Sequence, residues 1–113
     1  MARRVVRRDV WLYRFAAPDK RRPVVVLTRQ EVIGLLRTVM VAPITSAIHD
    51  APSEVLVGVE EGLEGTSAVN LDHVQTVERL KLERYVGHLS AAKMRLVCRA
   101  LALATGCDDE LGR

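Results

Sequence analysis

The stretch Arg22-Pro23-Val24-Val25-Val26-Leu27-Thr28 decides the fold class of this chain. Three valines and a leucine without polar alternation describe a strand buried on both faces, since a strand with one wet face shows a polar residue at every second position. Proline is tolerated at its head, where only the opening ladder hydrogen bond is lost. Upstream, residues 9–15 alternate, with Val10, Leu12 and Arg14 on one face and Trp11, Tyr13 and Phe15 on the other, as a strand requires. Residues 16–22, holding Pro18-Asp19 and a basic run, read as the turn between the two.

Downstream, residues 29–37 fit a short helical turn or an irregular loop, because Gly34 opposes a long helix. Residues 38–43 read as a strand and residues 54–59 as another. Between them lies a polar loop, residues 44–53, carrying Thr45, Ser46, His49 and Asp50, in the kind of place where function commonly sits. Short strands follow at 67–71 and around 75–77, then a helical turn within 78–84 and an extended piece at 85–89. Ser90 is placed as a helix N-cap, with Leu89 and Met94 as a hydrophobic staple across it. The helix runs to about Thr105 with Met94, Val97, Cys98, Leu101 and Ala104 on one face, and Gly106 stops it. Five to seven short strands closed by one C-terminal helix predict a mainly β fold, a strongly bent sheet or partly open barrel.

The 113 residues fit one domain, 1–113, with a modest core. Its balance of apolar and charged residues is that of a globular chain. The four aromatic residues, Trp11, Tyr13, Phe15 and Tyr85, leave the core to Val, Leu and Ile. The net charge of +3 conceals an asymmetry: residues 1–22 carry +6 and the remainder −3. Such a concentration suits either a polyanion partner, through counterion release, or a solvated basic terminus. Cys98 and Cys107 form neither a disulfide framework nor a metal motif and read as buried or incidental thiols. No apolar run reaches the roughly 18 residues that span a bilayer. The basic start lacks a following apolar segment, so it is not a secretory signal and the expected location is cytoplasmic.

Several segments, in this order, resemble the MazF/PemK family of toxin–antitoxin endoribonucleases. They are Arg8-Asp9-Val10-Trp11-Leu12, the 22–28 stretch, Val39-Met40-Val41-Ala42-Pro43-Ile44-Thr45-Ser46, Gly62-Leu63, Ser67-Ala68-Val69, Asp72-His73-Val74-Gln75-Thr76-Val77, Leu82, Gly87-His88-Leu89-Ser90 and the helix ending Ala100-Leu101-Ala102-Leu103-Ala104. The resemblance implies an SH3-like barrel with a C-terminal helix. It also implies a homodimer that cleaves single-stranded RNA without metal or cofactor, and a cognate antitoxin whose acidic, flexible tail occupies the basic groove. The family's catalytic pair, an arginine before Pro-Val and a threonine or serine in the Pro-Ile-Thr-Ser turn, falls on Arg22 and Thr45. Implied RNA contacts are Arg14, Lys20, Arg21, Ser46, His49, Asn70, Asp72 and Gln75. The products implied are a 2′,3′-cyclic phosphate and a 5′-hydroxyl.

The chemistry suits these residue types. Metal-free RNA cleavage uses the 2′-hydroxyl as nucleophile, so the protein supplies proton transfer and charge stabilisation. A guanidinium offers phosphate a planar, permanently charged fork of donors. On the residues alone, Arg22 also reads as a surface arginine before a strand and Thr45 as a turn residue capping its own backbone. The sequence departs from the family pattern in three places. Arg8 stands where a glycine is usual, the 16–21 loop is short, and Asn70 and Gln75 replace two arginines, leaving Arg14, Lys20 and Arg21 as substitute cations. His49 and His73 read as peripheral to the reaction, and His88 as structural or exposed. The alternative function is a toxin of the same fold that acts by protein binding, as gyrase poisons do, or a degenerate member that binds RNA or antitoxin without cutting.

Overall fold

The computed structural model describes residues 3–16 and 21–112. The elements run β1 (Asp9–Arg14), β2 (Arg21–Val26), α1 (Gln30–Ile33), β3 (Thr38–Thr45), β4 (Glu54–Val57), β5 (Ser67–Asn70), β6 (Gln75–Glu78), β7 (Leu82–His88), α2 (Ala91–Thr105) and α3 (Cys107–Glu110). Single 3-10 turns at Val59–Glu61, Leu71–His73 and Arg79–Lys81 join the later strands. Strand order is β4-β5-β3-β2-β1-β7, with β6 also on β3, and every pairing is antiparallel.

The eight-residue β3 bends the sheet. Its first half pairs with β6 (Val39 opposite Val77), its middle with β2 (Val24 opposite Pro43), and its last two residues with β5 (Thr45 opposite Ala68). Apolar side chains consequently collect on both faces. One face, with Val10, Val25, Ala42, Ile44, Val69 and Leu71, packs on Met94, Val97 and Ala100 of α2. The other holds Trp11, Val24, Val26, Val39, Val41, Val77 and Leu82, partly covered by Tyr13, Phe15 and Tyr85. The unbroken valine run is thus explained, because Val24, Val25 and Val26 are all fully buried on alternating sides.

The sequence expectation holds in outline and shifts in detail. β2 begins at Arg21, so Arg22 and Pro23 lie within the strand rather than in a turn and at its head. Pro23 remains tolerable because pairing with β3 starts only at Val24. β3 runs on through Ile44 and Thr45, two residues that the sequence placed in the following loop. The tail of that strand is held by β5, a long-range pairing that no local pattern reveals. Ser90 caps α2, its Oγ accepting from Lys93 N at 3.1 Å; Leu89 and Met94 are buried together beside it, and Gly106 ends the helix at φ 76°. Cys98 and Cys107 are exposed, correcting the buried reading of Cys98. The Arg7 guanidinium reaches the Leu27 carbonyl and lies 3.5 Å from Cys98 Sγ on the solvent side of α2.

Two backbone constraints fix how β7 and the N-terminal segment meet the sheet. Gly62, at φ 94°, and Gly87 lie back to back: a Cβ on Gly87 would overlap the Glu61 carbonyl, and one on Gly62 the Val86 carbonyl. Arg8 sits at φ 80° in the left-handed region, which glycine occupies without strain and other residues do not. The geometry is kept because Arg8 N donates to Val26 O, Leu89 N donates to Arg8 O, and the buried Asp9 carboxylate accepts from Val6 N and Trp11 Nε1.

Gly87→Ala is expected to destabilise by about 1–3 kcal/mol, because the neighbouring backbone cannot yield. Arg8→Gly is expected to stabilise by about 1 kcal/mol or less, the relieved strain being partly offset by greater freedom of the unfolded chain. Urea unfolding of both variants checks these signs.

Candidate active site

Alternation along β2 and β3 builds the site. Arg22, Val24 and Val26 share one face of β2; Val39, Val41, Pro43 and Thr45 share the same face of β3, since Val24 stands opposite Pro43 and Val26 opposite Val41. Where the apolar ladder stops, the next outward positions on that face are Arg22 and Thr45. They open into a cleft of about 350 Å³ lined by Phe15, Arg22, Pro43, Thr45, Ala47, His49, Asn70, His73 and Gln75. Five sequence-expected site residues, Arg22, Thr45, His49, Asn70 and Gln75, therefore meet in one place.

Local hydrogen bonds hold Thr45, His49, Asn70 and His73. Thr45 Oγ1 accepts from Ala47 N at 3.1 Å, which orients the hydroxyl and leaves its proton to donate elsewhere. The loop beyond is tied down by Glu54 at the start of β4, whose carboxylate accepts from His49 N at 3.0 Å and Ala51 N at 3.2 Å. Asp50, between them, has a left-handed φ of 55°, a conformation that aspartate tolerates better than most residues. At the end of β5, Asn70 Oδ1 accepts from Asp72 N at 2.9 Å, and Asn70 Nδ2 lies 3.1 Å from His73 Nδ1. Arg22 is exposed and, among the described residues, has no ion-pair or hydrogen-bond partner. Its guanidinium is free to meet an incoming anion.

The remaining expected RNA contacts are distributed differently. Arg14 and Arg21 stand opposite one another on the other face of the β1–β2 ladder, and both pair with Glu83, at 3.5 and 3.4 Å. They do not enter the cleft as substitutes for the missing arginines. Asp72 takes a hydrogen bond from Ser53 Oγ at 2.5 Å and lines a separate groove with Met40 and Leu101. Ser46 is exposed on the loop after Thr45 and does not line the cleft. Lys20 lies outside the described residues. Phe15 and His73 were not among the sequence-expected contacts, yet both line the cleft. The signal for Phe15 was present: it continues the Trp11 and Tyr13 face, and Tyr13 stands opposite Arg22. His73 depends on the 3-10 turn at Leu71–His73, which is not legible as a pattern.

Comparison with known proteins accords with this fold. The profile of the PemK-like, MazF-like toxins of type II toxin–antitoxin systems matches residues 6–105. A probable endoribonuclease, MazF5 of Mycobacterium tuberculosis, is 41% identical over 105 residues, covering 90% of this chain and 94% of its own. Endoribonuclease MazF3 of the same organism is 38% identical over 90 residues, covering 80% and 87%. Among solved structures, Mycobacterium tuberculosis toxin MazF-mt6 superposes with a TM-score of 0.81 at 33% identity, covering 88% of this chain and 97% of that one. An endoribonuclease in complex with its cognate antitoxin, from a mycobacterial species, shares the fold with a TM-score of 0.81 at 23% identity, covering 91% and 96%. The chain belongs to the PemK-like, MazF-like toxin family of type II toxin–antitoxin systems.

Proposed function

We propose that this toxin is a sequence-specific endoribonuclease that cleaves single-stranded RNA by attack of the 2′-hydroxyl on the adjacent phosphate, with Arg22 and Thr45 as its catalytic pair. The observation that carries the reading is the convergence, on one face at the mouth of one cleft, of the oriented Thr45 hydroxyl and an Arg22 guanidinium that has no partner among the described residues. Arg22 supplies fixed positive charge to the non-bridging oxygens as the phosphorane gathers negative charge, and Thr45 donates its remaining hydroxyl proton to the same group. Both are set on paired strands, so little reorganisation accompanies the reaction. The products are a 2′,3′-cyclic phosphate and a 5′-hydroxyl.

Phe15 offers an aromatic surface on which an unpaired base can stack, and Asn70 and Gln75 offer amide groups to base edges. A partner that restrains the toxin is expected from a type II system. We take it to be an antitoxin with an acidic flexible segment that competes with RNA for Arg22, at the cost of its own ordering. A homodimer in the cytoplasm completes the reading; no described helix is long and apolar enough to cross a membrane. A toxin acting by protein binding alone has no use for a free guanidinium set beside an oriented hydroxyl.

The test is incubation of the purified protein with a long single-stranded RNA in EDTA, with mapping of the new ends. Discrete cuts bearing 5′-hydroxyls are expected. Arg22→Ala and Thr45→Ala are expected to fold normally and to cut at least about 100-fold more slowly, the scale of losing one oxyanion donor. Undiminished cutting by a folded Arg22→Ala protein would sink the assignment.

A further inference from the structure

Cleavage through the 2′-hydroxyl requires a group that accepts a proton, and neither member of the catalytic pair suits that task. Arg22 is permanently protonated, and a threonine hydroxyl is a weak base. Carboxylates are the usual alternative, yet none lines the cleft among the described residues. Of the described carboxylates near the cleft residues in sequence, Asp72 is bonded to Ser53 Oγ, Glu54 is bonded to the backbone N–H groups of His49 and Ala51, and Asp50, though next to His49, does not line the cleft. Two imidazoles remain, His49 and His73.

Their hydrogen bonds separate them. Asn70 Oδ1 is occupied by Asp72 N, so the side-chain amide has one orientation and presents its NH₂ to His73 Nδ1. An amide NH₂ only donates, so Nδ1 is the acceptor and the single ring proton of neutral His73 lies on Nε2. In that tautomer His73 has no free lone pair and serves the cleft as an N–H donor. The His49 ring has no hydrogen-bond partner among the described residues, while its backbone is clamped by Glu54. It is an imidazole with a free acceptor nitrogen, carried on a loop fixed at both Thr45 and Glu54.

Resting on the ribonuclease reading above, we propose that His49 is a catalytic residue that accepts the proton of the attacking 2′-hydroxyl. The 2′-oxygen then forms its bond to phosphorus as the bond from phosphorus to the 5′-oxygen breaks. The departing oxygen takes a proton from water, and the His49 imidazolium returns one to solvent on product release. Glu54 is a positioning residue in this scheme. The ionisable groups around His49 are Arg22 from β2 and His73 from the 3-10 turn, which line the same cleft, with Asp50 and Glu54 from its own loop and β4.

The experiment compares wild type, His49→Ala, His73→Ala and Arg22→Ala on one oligonucleotide carrying the mapped cut site, in EDTA, across about pH 5 to 8. Binding is measured separately with the same oligonucleotide bearing a 2′-methoxy group at the scissile nucleotide. Wild-type kcat/KM is expected to fall on acidification, because a protonated imidazole accepts nothing. His49→Ala should lose about 100-fold or more in rate, lose that acid dependence, bind the methoxy probe within a few-fold of wild type, and recover cleavage with added imidazole. A merely structural His49 would give no imidazole rescue. His73→Ala should weaken binding and keep the acid dependence. If His49→Ala cuts like wild type while Arg22→Ala is inactive, the histidine assignment fails and the ribonuclease reading stands. If the acid dependence disappears in His73→Ala instead, His49 is not the acceptor. Absence of cutting by wild type overturns both readings.

Discussion

The burial of both faces of β2 is the constraint on which this molecule depends. Val25 must face α2 and Val24 and Val26 must face the aromatic side, so a one-residue slip of β2 against β3 would expose one set or bury the flanking arginines. The register that keeps the valines dry also puts Arg22 and Thr45 on one face, just past the point where the apolar ladder ends. The proposed catalytic pair is thus placed by the same requirement that stabilises the fold. Its members gain the precision of strand positions rather than the looseness of loop positions.

The identity of the strands was legible because period-2 alternation and β-branched runs are local signals, as in residues 9–15 and 22–28. The helix was legible through Ser90, the Leu89–Met94 staple and Gly106, each of which acts within one turn. Strand ends were not, because they are fixed by distant partners: Thr45 belongs to β3 on account of Ala68, and Arg21 to β2 on account of Arg14. The resemblance brought Arg22 and Thr45 together in advance, whereas spacing alone left them as a surface arginine and a turn residue. Arg8 is the instructive departure. A glycine is expected there, and the backbone keeps the left-handed φ that glycine would favour, held by Asp9 and the Val26 and Leu89 hydrogen bonds.

The charge asymmetry of the first 22 residues calls for a narrower reading than a diffuse polyanion footprint. Much of that charge has a structural partner. Arg3 stacks over the Tyr85 ring at 3.6 Å, Arg7 donates to the Leu27 carbonyl, and Arg14 and Arg21 share Glu83. The Glu83 pairs are largely exposed and hold the two arginines only weakly, so they can still steer an anion at long range. What they do not do is point into the cleft. Arg22 carries the positive charge there, and its having no carboxylate partner among the described residues matters more than the total.

Asn70 and Gln75, where the resemblance implies arginines, change the chemistry of the cleft as well as its charge. An amide contributes donors and acceptors but neither a formal charge nor a proton to exchange, so a cleft built this way relies less on counterion release and more on hydrogen-bond geometry. Asn70 illustrates the consequence. It cannot serve as a phosphate cation, but by bonding Asp72 N and His73 Nδ1 together it fixes a turn and a ring tautomer. On the proposed mechanism neither Arg22 nor Thr45 suits the role of proton acceptor, so that role falls to another residue. The loop between β3 and β4, anchored by Thr45 at one end and Glu54 at the other, is where this fold can add such a group without disturbing either core.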